Sequence, residues 1–284
     1  MYSKEIIKVI EYIEVNLFEE LELEQLSVVA GYSKYHFARL FKEATGESII
    51  SMIKRLRLEK SAKDLFHLNT PVTEIGLNVG YWTPSSYNKA FKQKFKQSPT
   101  LFRERSKQTF HNIARKYHLS VERIERKPQR TLSYRAIGDY KESSYVAWKA
   151  LLNIVDAFQK DSNESISTKH TNCYGLAFDI PTITDERLLR YEACVEVLDE
   201  LDFNMFDIYH REIPGGIYAK VTFQGDYDDI YDVWVWFYAW IQKNQYKLAN
   251  FPPLECYLDD PREVMKELPP QPTTELLLLL QSYS

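Results

Sequence analysis

The stretch PVTEIGLNVGYWTPSSYNKAFKQKFKQSPTLFR, residues 71–103, decides the fold of the first part of this chain. Ile75 and Val79 predict a short helix with one apolar side, and Gly80 is a residue type that ends helices. Pro84 suits the first turn of a second helix, because a backbone N–H has no helical partner there. The stretch therefore predicts two helices joined by a tight turn.

The second helix of this stretch has two unlike sides, and Thr83 is its predicted N-cap. Aromatic residues at every fourth position form one side: Tyr87, Phe91 and Phe95. The other side is polar and basic: Ser85, Ser86, Asn88, Lys89, Lys92 and Lys96. A glycine turn followed by a helix with an apolar back and a basic front predicts a helix-turn-helix whose second helix enters the major groove of DNA.

The same unit occurs about fifty residues earlier, as LEQLSVVAGYSKYHFARLFKEATG in residues 23–46. The second copy contains one inserted residue. The matching positions are Gly31-Tyr32 with Gly80-Tyr81, Phe37 with Tyr87, Arg39 with Lys89, and Phe41-Lys42 with Phe91-Lys92. Residues 49–66, between the copies, show a continuous helical pattern with apolar residues at Ile53, Leu56 and Leu65.

Two helix-turn-helix units joined by one long helix resemble the DNA-binding domain of the AraC/XylS family over residues 5–105. The most specific part is the end of the second unit, FKQKFKQSPTLFR. The family usually has glycine where this chain has Lys96, so the end of that helix can differ here. The resemblance implies a sequence-specific transcription regulator that binds double-stranded DNA, with RNA polymerase as a partner.

The candidate DNA-reading residues lie off the apolar stripes of the two second helices. They are Lys34, Tyr35, Ala38, Arg39 and Lys42 in the first unit, and Pro84, Ser85, Ser86, Asn88, Lys89 and Lys92 in the second. Arg39 has the geometry for a bidentate contact to guanine, and its equivalent in the family contacts bases. Ala38 and Tyr35 offer only apolar or stacking contacts, for example to a thymine methyl group. For any single lysine, an ordinary solvated charge is the competing interpretation.

Charge is distributed unevenly over the 284 residues, although the net charge is only -4. Residues 34–107 contain fifteen Lys and Arg against six Asp and Glu, whereas residues beyond 110 contain nineteen against twenty-seven. A basic part and an acidic part predict a nucleic-acid-binding module joined to a domain for another class of ligand. We expect a DNA-binding domain at 1–108, a helical linker at 109–119 and a second domain at 120–284.

Other segments have bland interpretations. Residues 1–22 are predicted to form one helix with a core-facing stripe, and residues 106–118 a linker helix before a hinge near 118–120. The three cysteines show no CxxC spacing, so we expect buried thiols, with no metal and no other cofactor. No signal peptide opens the chain, and the longest apolar run, residues 233–241, is half of a membrane helix, so we expect a cytoplasmic protein.

From residue 121 the pattern predicts strand, strand, helix, strand and strand, and the order then repeats. In the first set, residues 121–138 are read as paired strands with a turn at Pro128, residues 143–159 as a helix, and residues 173–180 and 191–198 as strands. In the second set, residues 226–244 are predicted as the helix, and the strands are residues 206–213, 217–223, 254–258 and 274–281. Gly138-Asp139-Tyr140 recurs as Gly225-Asp226-Tyr227, and Asp179-Ile180-Pro181 recurs as Asp259-Asp260-Pro261. The second domain is therefore predicted as α+β, with two repeats related by a pseudo-two-fold axis.

This half resembles the GyrI-like family of small-molecule-binding domains over residues 120–282. Its best motifs are RYEACVEV at 190–197, GDY before each helix, and LECYLDDP at 254–261. The resemblance implies an effector-binding domain of the kind found in gyrase-inhibitory proteins and multidrug-sensing regulators. The order of the two domains also resembles that of a known AraC-type regulator.

The repeat is broken where Gly175 in the first half matches Glu255 in the second. Strand alternation places Glu255 and Tyr257 on one face, with Leu254 and Cys256 on the other. A carboxylate among apolar residues is costly to bury unless it is paired or functional. The alternatives are an exposed face, a salt bridge to a nearby arginine such as Arg190, or the floor of a ligand pocket.

In GyrI-like domains the residue matching Glu255 faces cationic, lipophilic ligands, so the resemblance implies the same role here. Aromatic residues are the candidate walls of such a pocket: Tyr145, Trp148, Tyr174, Phe178, Tyr191, Tyr218, Trp234, Phe237 and Tyr257.

Three functions of the second domain stay open. It can sense a small cationic or amphipathic ligand, or it can be a protein-interaction module without a ligand. Some GyrI-like domains are hydrolases of strained electrophiles that use a pocket glutamate. No second carboxylate, histidine or nucleophile stands at a supporting position, so we expect a sensor and not an enzyme.

Overall fold

The structure is a computed structural model that describes residues 3–67, 70–162, 172–197, 209–267, 269 and 271–281. The chain divides into two compact units, Met1–Thr109 and Phe110–Ser284. The first is helical and the second is built on a β-sheet. The predicted fold class, an all-α domain followed by an α+β domain, is confirmed.

The helices of the first unit follow one another with short connections. They are α1 (Lys4–Val15), α2 (Leu23–Ala30), α3 (Lys34–Thr45), α4 (Ile49–His67), α5 (Val72–Asn78), α6 (Pro84–Phe95) and α7 (Pro99–Ala114), which ends beyond the unit. The prediction of one helix over residues 1–22 was wrong. α1 ends at Val15, because Asn16 leaves the helical conformation, at φ -104° and ψ 25°, and its side-chain amide donates to the carbonyl of Tyr12 at 2.8 Å.

α2 with α3 and α5 with α6 form the two predicted helix-turn-helix units. Each turn contains a glycine with a left-handed backbone, Gly31 at φ 72° and Gly80 at φ 83°, where a side chain would be strained. Most of the aromatic stripes are fully buried, namely Phe37 and Phe41 in α3 and Tyr87 and Phe91 in α6, whereas Phe95 at the end of α6 is half-buried. Burial of one side of each second helix leaves its polar side for solvent or a partner.

α4 is the predicted long connecting helix, and a buried ion pair joins it to α6. Glu59 of α4 is only 2% exposed and accepts hydrogen bonds from Arg55 and Lys94, each at 3.0 Å. Lys94 belongs to α6, so this lysine has a structural partner despite its place in a basic stretch. A buried carboxylate is costly unless it is paired, so Arg55 and Lys94 together make the burial of Glu59 tolerable.

α6 ends at Phe95, because Lys96 adopts the left-handed conformation at φ 58° and donates its N–H to the carbonyl of Lys92 at 2.9 Å. The lysine therefore does not lengthen the helix. Left-handed backbone costs about 1–2 kcal/mol for a residue with a Cβ.

Of the linker helix predicted over residues 106–118, residues 106–114 form the end of the longer helix α7, and residues 115–118 are not helical. Phe102 in its first turns packs on Phe91 and Phe95, with ring centroids 5.5 and 5.4 Å away. α7 ends at Ala114, and the first strand begins at Val121.

The second unit contains two copies of strand, strand, helix, strand, strand, as predicted. The first copy is β1 (Val121–Arg126), β2 (Gln129–Ile137), α8 (Tyr140–Ser162), β3 (Cys173–Ala177) and β4 (Arg190–Glu196). The second is β5 (Tyr209–Ile213), β6 (Gly216–Gln224), α9 (Ile230–Lys243), β7 (Leu254–Tyr257) and β8 (Thr273–Leu279), with the short helix α10 (Pro261–Val264) between β7 and β8. Residues 206–208, predicted as the start of a strand, lie outside the described residues.

All eight strands form one antiparallel sheet in the order β1-β6-β8-β7-β3-β4-β2-β5. β1 and β2 do not pair with each other, so the prediction of paired strands around Pro128 was wrong. Each repeat instead contributes its first strand to the other repeat. The two connections cross closely, since a Cβ on Gly215 would lie 2.7 Å from Cδ of Pro128.

Both long helices of this unit lie on one face of the sheet. α8 packs on β2 and β4 through residues such as Trp148 and Leu151, and α9 packs on β6 and β8 through Val233 and Phe237. The two central strands, β3 and β7, therefore lie between the areas that the helices cover. The other face has its own core: Tyr174, Leu176, Cys194, Ile213, Tyr218, Leu254, Cys256 and Leu277. In the described part of the chain, no helix has both the length and the apolar character needed to cross a membrane.

Candidate functional site

Gly175 and Glu255 lie at the pseudo-two-fold axis of the second unit. They are equivalent in the repeat, and they are also direct partners in the pairing of β3 with β7. Two residues that are equivalent by the pseudo-two-fold axis can pair directly only where the axis passes between them, so Glu255 stands at the centre of the sheet. Its side chain lies on the face of the sheet that the helices cover, because the neighbouring residues Leu254 and Cys256 belong to the core on the other face.

The carboxylate of Glu255 is buried and accepts hydrogen bonds from two aromatic residues. Nε1 of Trp234 donates to Oε1 at 3.0 Å, and the hydroxyl of Tyr257 donates to Oε2. Glu255 is 8% exposed, so the exposed-face alternative does not hold. The salt-bridge alternative does not hold either, because Arg190 pairs with Asp179 at 2.7 Å. Among the described residues, no Lys, Arg or His forms an ion pair with Glu255.

A directed chain of hydrogen bonds leads to this carboxylate. Nε1 of Trp148 donates to the hydroxyl of Tyr191 at 3.0 Å, and the hydroxyls of Tyr191 and Tyr257 are 2.8 Å apart. Since Tyr257 donates its only hydroxyl proton to Glu255, its oxygen accepts from Tyr191. Every donor thus points toward Glu255, an arrangement that stabilises a negative charge there.

Gly175 makes room for this chain. A Cβ at residue 175 would collide with the hydroxyl oxygens of both Tyr191 and Tyr257. The absence of a side chain at Gly175 therefore leaves the space in which the hydroxyl groups of the two tyrosines meet, and this space lies across from Glu255 of the other repeat.

Burial raises the pKa of Glu255 above its ordinary value, and the hydrogen bonds from Tyr257 and Trp234 oppose that rise. Burial also raises the pKa of Tyr191 and Tyr257 well above that of free tyrosine. Both hydroxyls therefore keep their protons at neutral pH and remain donors.

A second buried glutamate shows what a structural carboxylate looks like in this sheet. Glu192 is fully buried on the other face, with Arg135 at 2.9 Å and Arg211 also in contact. Burial acts to raise the pKa of Glu192, but the two guanidinium groups outweigh it and lower the pKa to about 2. Glu192 is thus neutralised within the fold, whereas Glu255 is not.

The structure brings four of the predicted wall residues together at Glu255: Trp148, Tyr191, Trp234 and Tyr257. Phe237 stacks on Trp234 with centroids 5.9 Å apart, but it is fully buried in the core under α9. Tyr145 is 48% exposed, and the ring contact described for it is with Lys149.

Tyr174, Phe178 and Tyr218 are not near Glu255, because they belong to the core on the other face of the sheet. Tyr174 pairs with Cys256 across the strands, and the alternation of β7 directs Cys256 away from the face of Glu255. The aromatic residue type by itself does not tell which face a side chain takes.

Two residues of the cluster were missed in the sequence. The ring of Tyr227 lies 6.2 Å from that of Tyr257, and the ring of Tyr140 lies 6.3 Å from that of Tyr191. They are the tyrosines of the two Gly-Asp-Tyr words, whose recurrence at equivalent places was the available signal.

In the first unit, the candidate DNA-reading residues lie on α3 and α6, and of those in α3 only Tyr35, Arg39 and Lys42 are exposed. Tyr35 is 84% exposed, and Arg39 is exposed with Glu43 3.9 Å away. Lys34 is held by an ion pair with Glu24 of α2, a contact that sequence spacing did not predict.

The candidate residues of α6 are all exposed: Pro84, Ser85, Ser86, Asn88, Lys89 and Lys92. Two of them also serve the helix start. The N–H of Ser86 donates to the hydroxyl of Thr83 at 3.1 Å, and the amide of Asn88 donates to the carbonyl of Pro84 at 2.8 Å. In α3, Lys42 is exposed and Ala38 is half-buried.

Comparison with known proteins matches both units. Residues 120–280 match the family model described as a GyrI-like small molecule binding domain, and residues 26–105 match a helix-turn-helix domain. The two domain resemblances seen in the sequence are thereby confirmed.

Curated relatives match over about a third of this chain. The transcriptional regulator Rob of Salmonella typhimurium is 37% identical over 95 residues, which are 34% of this chain and 33% of that protein. The right origin-binding protein of Escherichia coli strain K12 is 37% identical over 92 residues, 32% of each chain. The chain thus spans about a third of the length of these relatives. The crystal structure of the EcmrR C-terminal domain is 22% identical, covers 59% of this chain and 100% of its own, and has a TM-score of 0.47.

Proposed function

Because the chain belongs to the family of GyrI-like small-molecule-binding domains and carries an AraC-type helix-turn-helix domain before it, we propose that it is a transcription regulator controlled by a small cationic, amphipathic ligand. The ligand binds at Glu255, and its binding changes DNA affinity or the recruitment of RNA polymerase. The observation that carries this proposal is the buried carboxylate that no described cation neutralises.

The electrostatics favour a cation. A buried carboxylate without a countercharge is costly, even when it accepts two hydrogen bonds. A cation about 4 Å away contributes about 4 kcal/mol at the effective dielectric constant of about 20 that suits such sites. A neutral ligand offers no comparable term, so charge is the first property on which the site discriminates.

The aromatic residues favour an amphipathic ligand. Trp234, Tyr227 and Tyr257 are half-buried, so part of each residue is accessible. Ring faces attract cations and pack against apolar groups. Quaternary ammonium or phosphonium ions with aromatic substituents combine both properties.

An isosteric ligand pair tests the proposal on the full-length protein. Phenyltrimethylammonium and tert-butylbenzene have the same shape and differ in charge, so calorimetric titration isolates the contribution of the cation. We expect the cation to bind and the neutral compound to bind at least tenfold more weakly, which corresponds to about 1.4 kcal/mol. Equal affinity of the two compounds would refute the charge argument, and failure of a wider panel of lipophilic cations to bind would favour an interaction module.

The proposed DNA-contacting surface consists of the exposed sides of α3 and α6. Arg39 reads a guanine, Tyr35 and Ala38 make apolar contacts, and Lys42, Lys89 and Lys92 neutralise phosphates. Support comes from the duplication, because Arg39 and Lys42 of α3 and their equivalents Lys89 and Lys92 of α6 are all exposed, while an aromatic side of each helix is buried.

One monomer is expected to occupy two successive major grooves. α4 has 19 residues, so it spans about 28 Å at about 1.5 Å per residue. Successive major grooves on one side of DNA lie about 34 Å apart, which two recognition helices flanking α4 can reach with modest bending of the DNA. RNA polymerase stays a predicted partner on the family resemblance alone.

A further inference from the structure

Trp82 is the most exposed large hydrophobic side chain of the described residues, at 94%. It forms no hydrogen bond and no ring contact with any other described residue. Single exposed apolar residues are ordinary on protein surfaces, so exposure alone says little. The position of this one in the duplicated motif is the second observation.

Trp82 is the residue inserted in the second helix-turn-helix unit. The turn glycines Gly31 and Gly80 are 49 residues apart, but the N-caps Ser33 and Thr83 are 50 apart. Both flanking features are intact, since Gly80 keeps its left-handed backbone and Thr83 caps α6 through its side chain. The insertion thus adds an indole between the turn glycine and the N-cap of the recognition helix, and both of these features are kept.

We propose that Trp82 contacts the 5-methyl group of a thymine at one edge of the second half-site. The first residues of a recognition helix lie nearest the base edges in the major groove. The thymine methyl is the apolar group that this groove presents, and an indole offers a large apolar surface with only one donor. Exposed Ser85, Ser86 and Lys89 continue the same surface along α6. The inference rests on the proposed DNA-contacting side of this helix.

Methyl-group substitution in the DNA tests the contact. Preferred sites are first selected from random duplexes with the full-length protein, and each thymine is then replaced in turn by deoxyuridine, which lacks only the methyl group. At one position, we expect the wild-type affinity to fall about fourfold, the value of one buried methyl group. Trp82→Ala should bind the unmodified site about tenfold more weakly and should not respond to deoxyuridine at that position. Equal responses of the wild type and Trp82→Ala at every thymine would overturn the proposal.

Lys92→Ala separates failure of this inference from failure of the proposed surface. If Lys92→Ala weakens binding and Trp82→Ala does not, the surface holds and the thymine contact is wrong. If neither variant changes affinity, the side of α6 proposed to contact DNA is wrong, and the inference fails with it.

Fluorescence gives an independent readout, because Trp82 is the only one of the five tryptophans within residues 1–109. We expect DNA to change the emission of the wild-type protein, and this change to be lost in Trp82→Phe, whose ring still reaches a methyl group. The same emission change in Trp82→Phe would count against contact with DNA.

Discussion

Replacement of Glu255 by glutamine keeps the shape of the side chain and removes its charge. In the native protein one oxygen accepts from Nε1 of Trp234 at 3.0 Å and the other accepts from the hydroxyl of Tyr257. A glutamine amide has one accepting oxygen and a donating NH2 group, so it cannot accept from both partners. The variant therefore loses the charge and also reverses the polarity at one end of the hydrogen-bond chain.

The expected loss of cation affinity for Glu255→Gln is about 1–3 kcal/mol, the range for losing a charge-assisted partner, or about 5- to 150-fold. Tert-butylbenzene should be little affected. Because a bound cation lowers the pKa of Glu255 while burial raises it in the free protein, ligand binding releases a proton in acid. Wild-type affinity should therefore fall as the pH decreases through the raised pKa, and the affinity of the variant should not.

Linkage gives a second signature, in the protein without ligand. The folded state holds the proton of Glu255 more tightly than the unfolded state, since burial raises the folded pKa. The free energy of unfolding should therefore decrease as the pH rises from the ordinary carboxyl pKa through the raised one. Glu255→Gln should lose this component of the pH dependence.

Calorimetry with phenyltrimethylammonium between about pH 5 and 8, combined with denaturant unfolding over the same range, measures both effects. Glu122→Gln is the matched control, because it makes the same change of net charge at an exposed position of β1. Equal cation affinity and equal pH dependence of Glu255→Gln and the wild type would refute the assignment of Glu255 as the anionic group of the site.

Three further predictions concern the first unit. In gel-shift titrations, Arg39→Ala should weaken specific binding by about 1–3 kcal/mol and relax the preference at one base pair. Lys92→Ala should weaken binding to all DNA sequences alike and reduce its salt dependence. Unchanged specificity of Arg39→Ala would mean that α3 does not read bases. Insertion of half a helical turn between the two half-sites should abolish binding, and unchanged affinity would show that one recognition helix suffices. Lys96→Gly should raise the free energy of unfolding by about 0.5–1 kcal/mol, because glycine relieves the strain of the left-handed backbone but loses more entropy on folding. If denaturant unfolding instead gives a lower free energy of unfolding, the hydrogen bond from the Lys96 side chain to the carbonyl of Gln93 outweighs the strain.

Local patterns in the sequence were sufficient to predict the helices of the first unit and the repeat in the second. Buried aromatics at every fourth position, turn glycines and the caps act within a few residues of one another, so they predict helices and turns wherever the chain lies. The duplication of these patterns, and of the Gly-Asp-Tyr words, then predicted the two helix-turn-helix units and the two halves of the sheet.

Strand partners could not be predicted in this way. Alternation identifies β1 and β2 as strands, but their hydrogen bonds go to β6 and to β4 and β5, far away in the sequence. A short connection favours a hairpin, and only the assembled sheet shows that each repeat contributes its first strand to the other. The partnership of Lys94 with Glu59 has the same long-range origin.

The sequence by itself determined that Glu255 is the odd carboxylate of the repeat and that Tyr257 shares its face, because both follow from alternation along one strand. Only the tertiary structure decided that Gly175 pairs with Glu255 on the axis, that Trp148 and Trp234 arrive from two helices, and that Arg190 is engaged elsewhere. The physical reason is that the protonation and pairing of a buried charge depend on every group that surrounds it in space, and those groups come from segments that no local pattern connects.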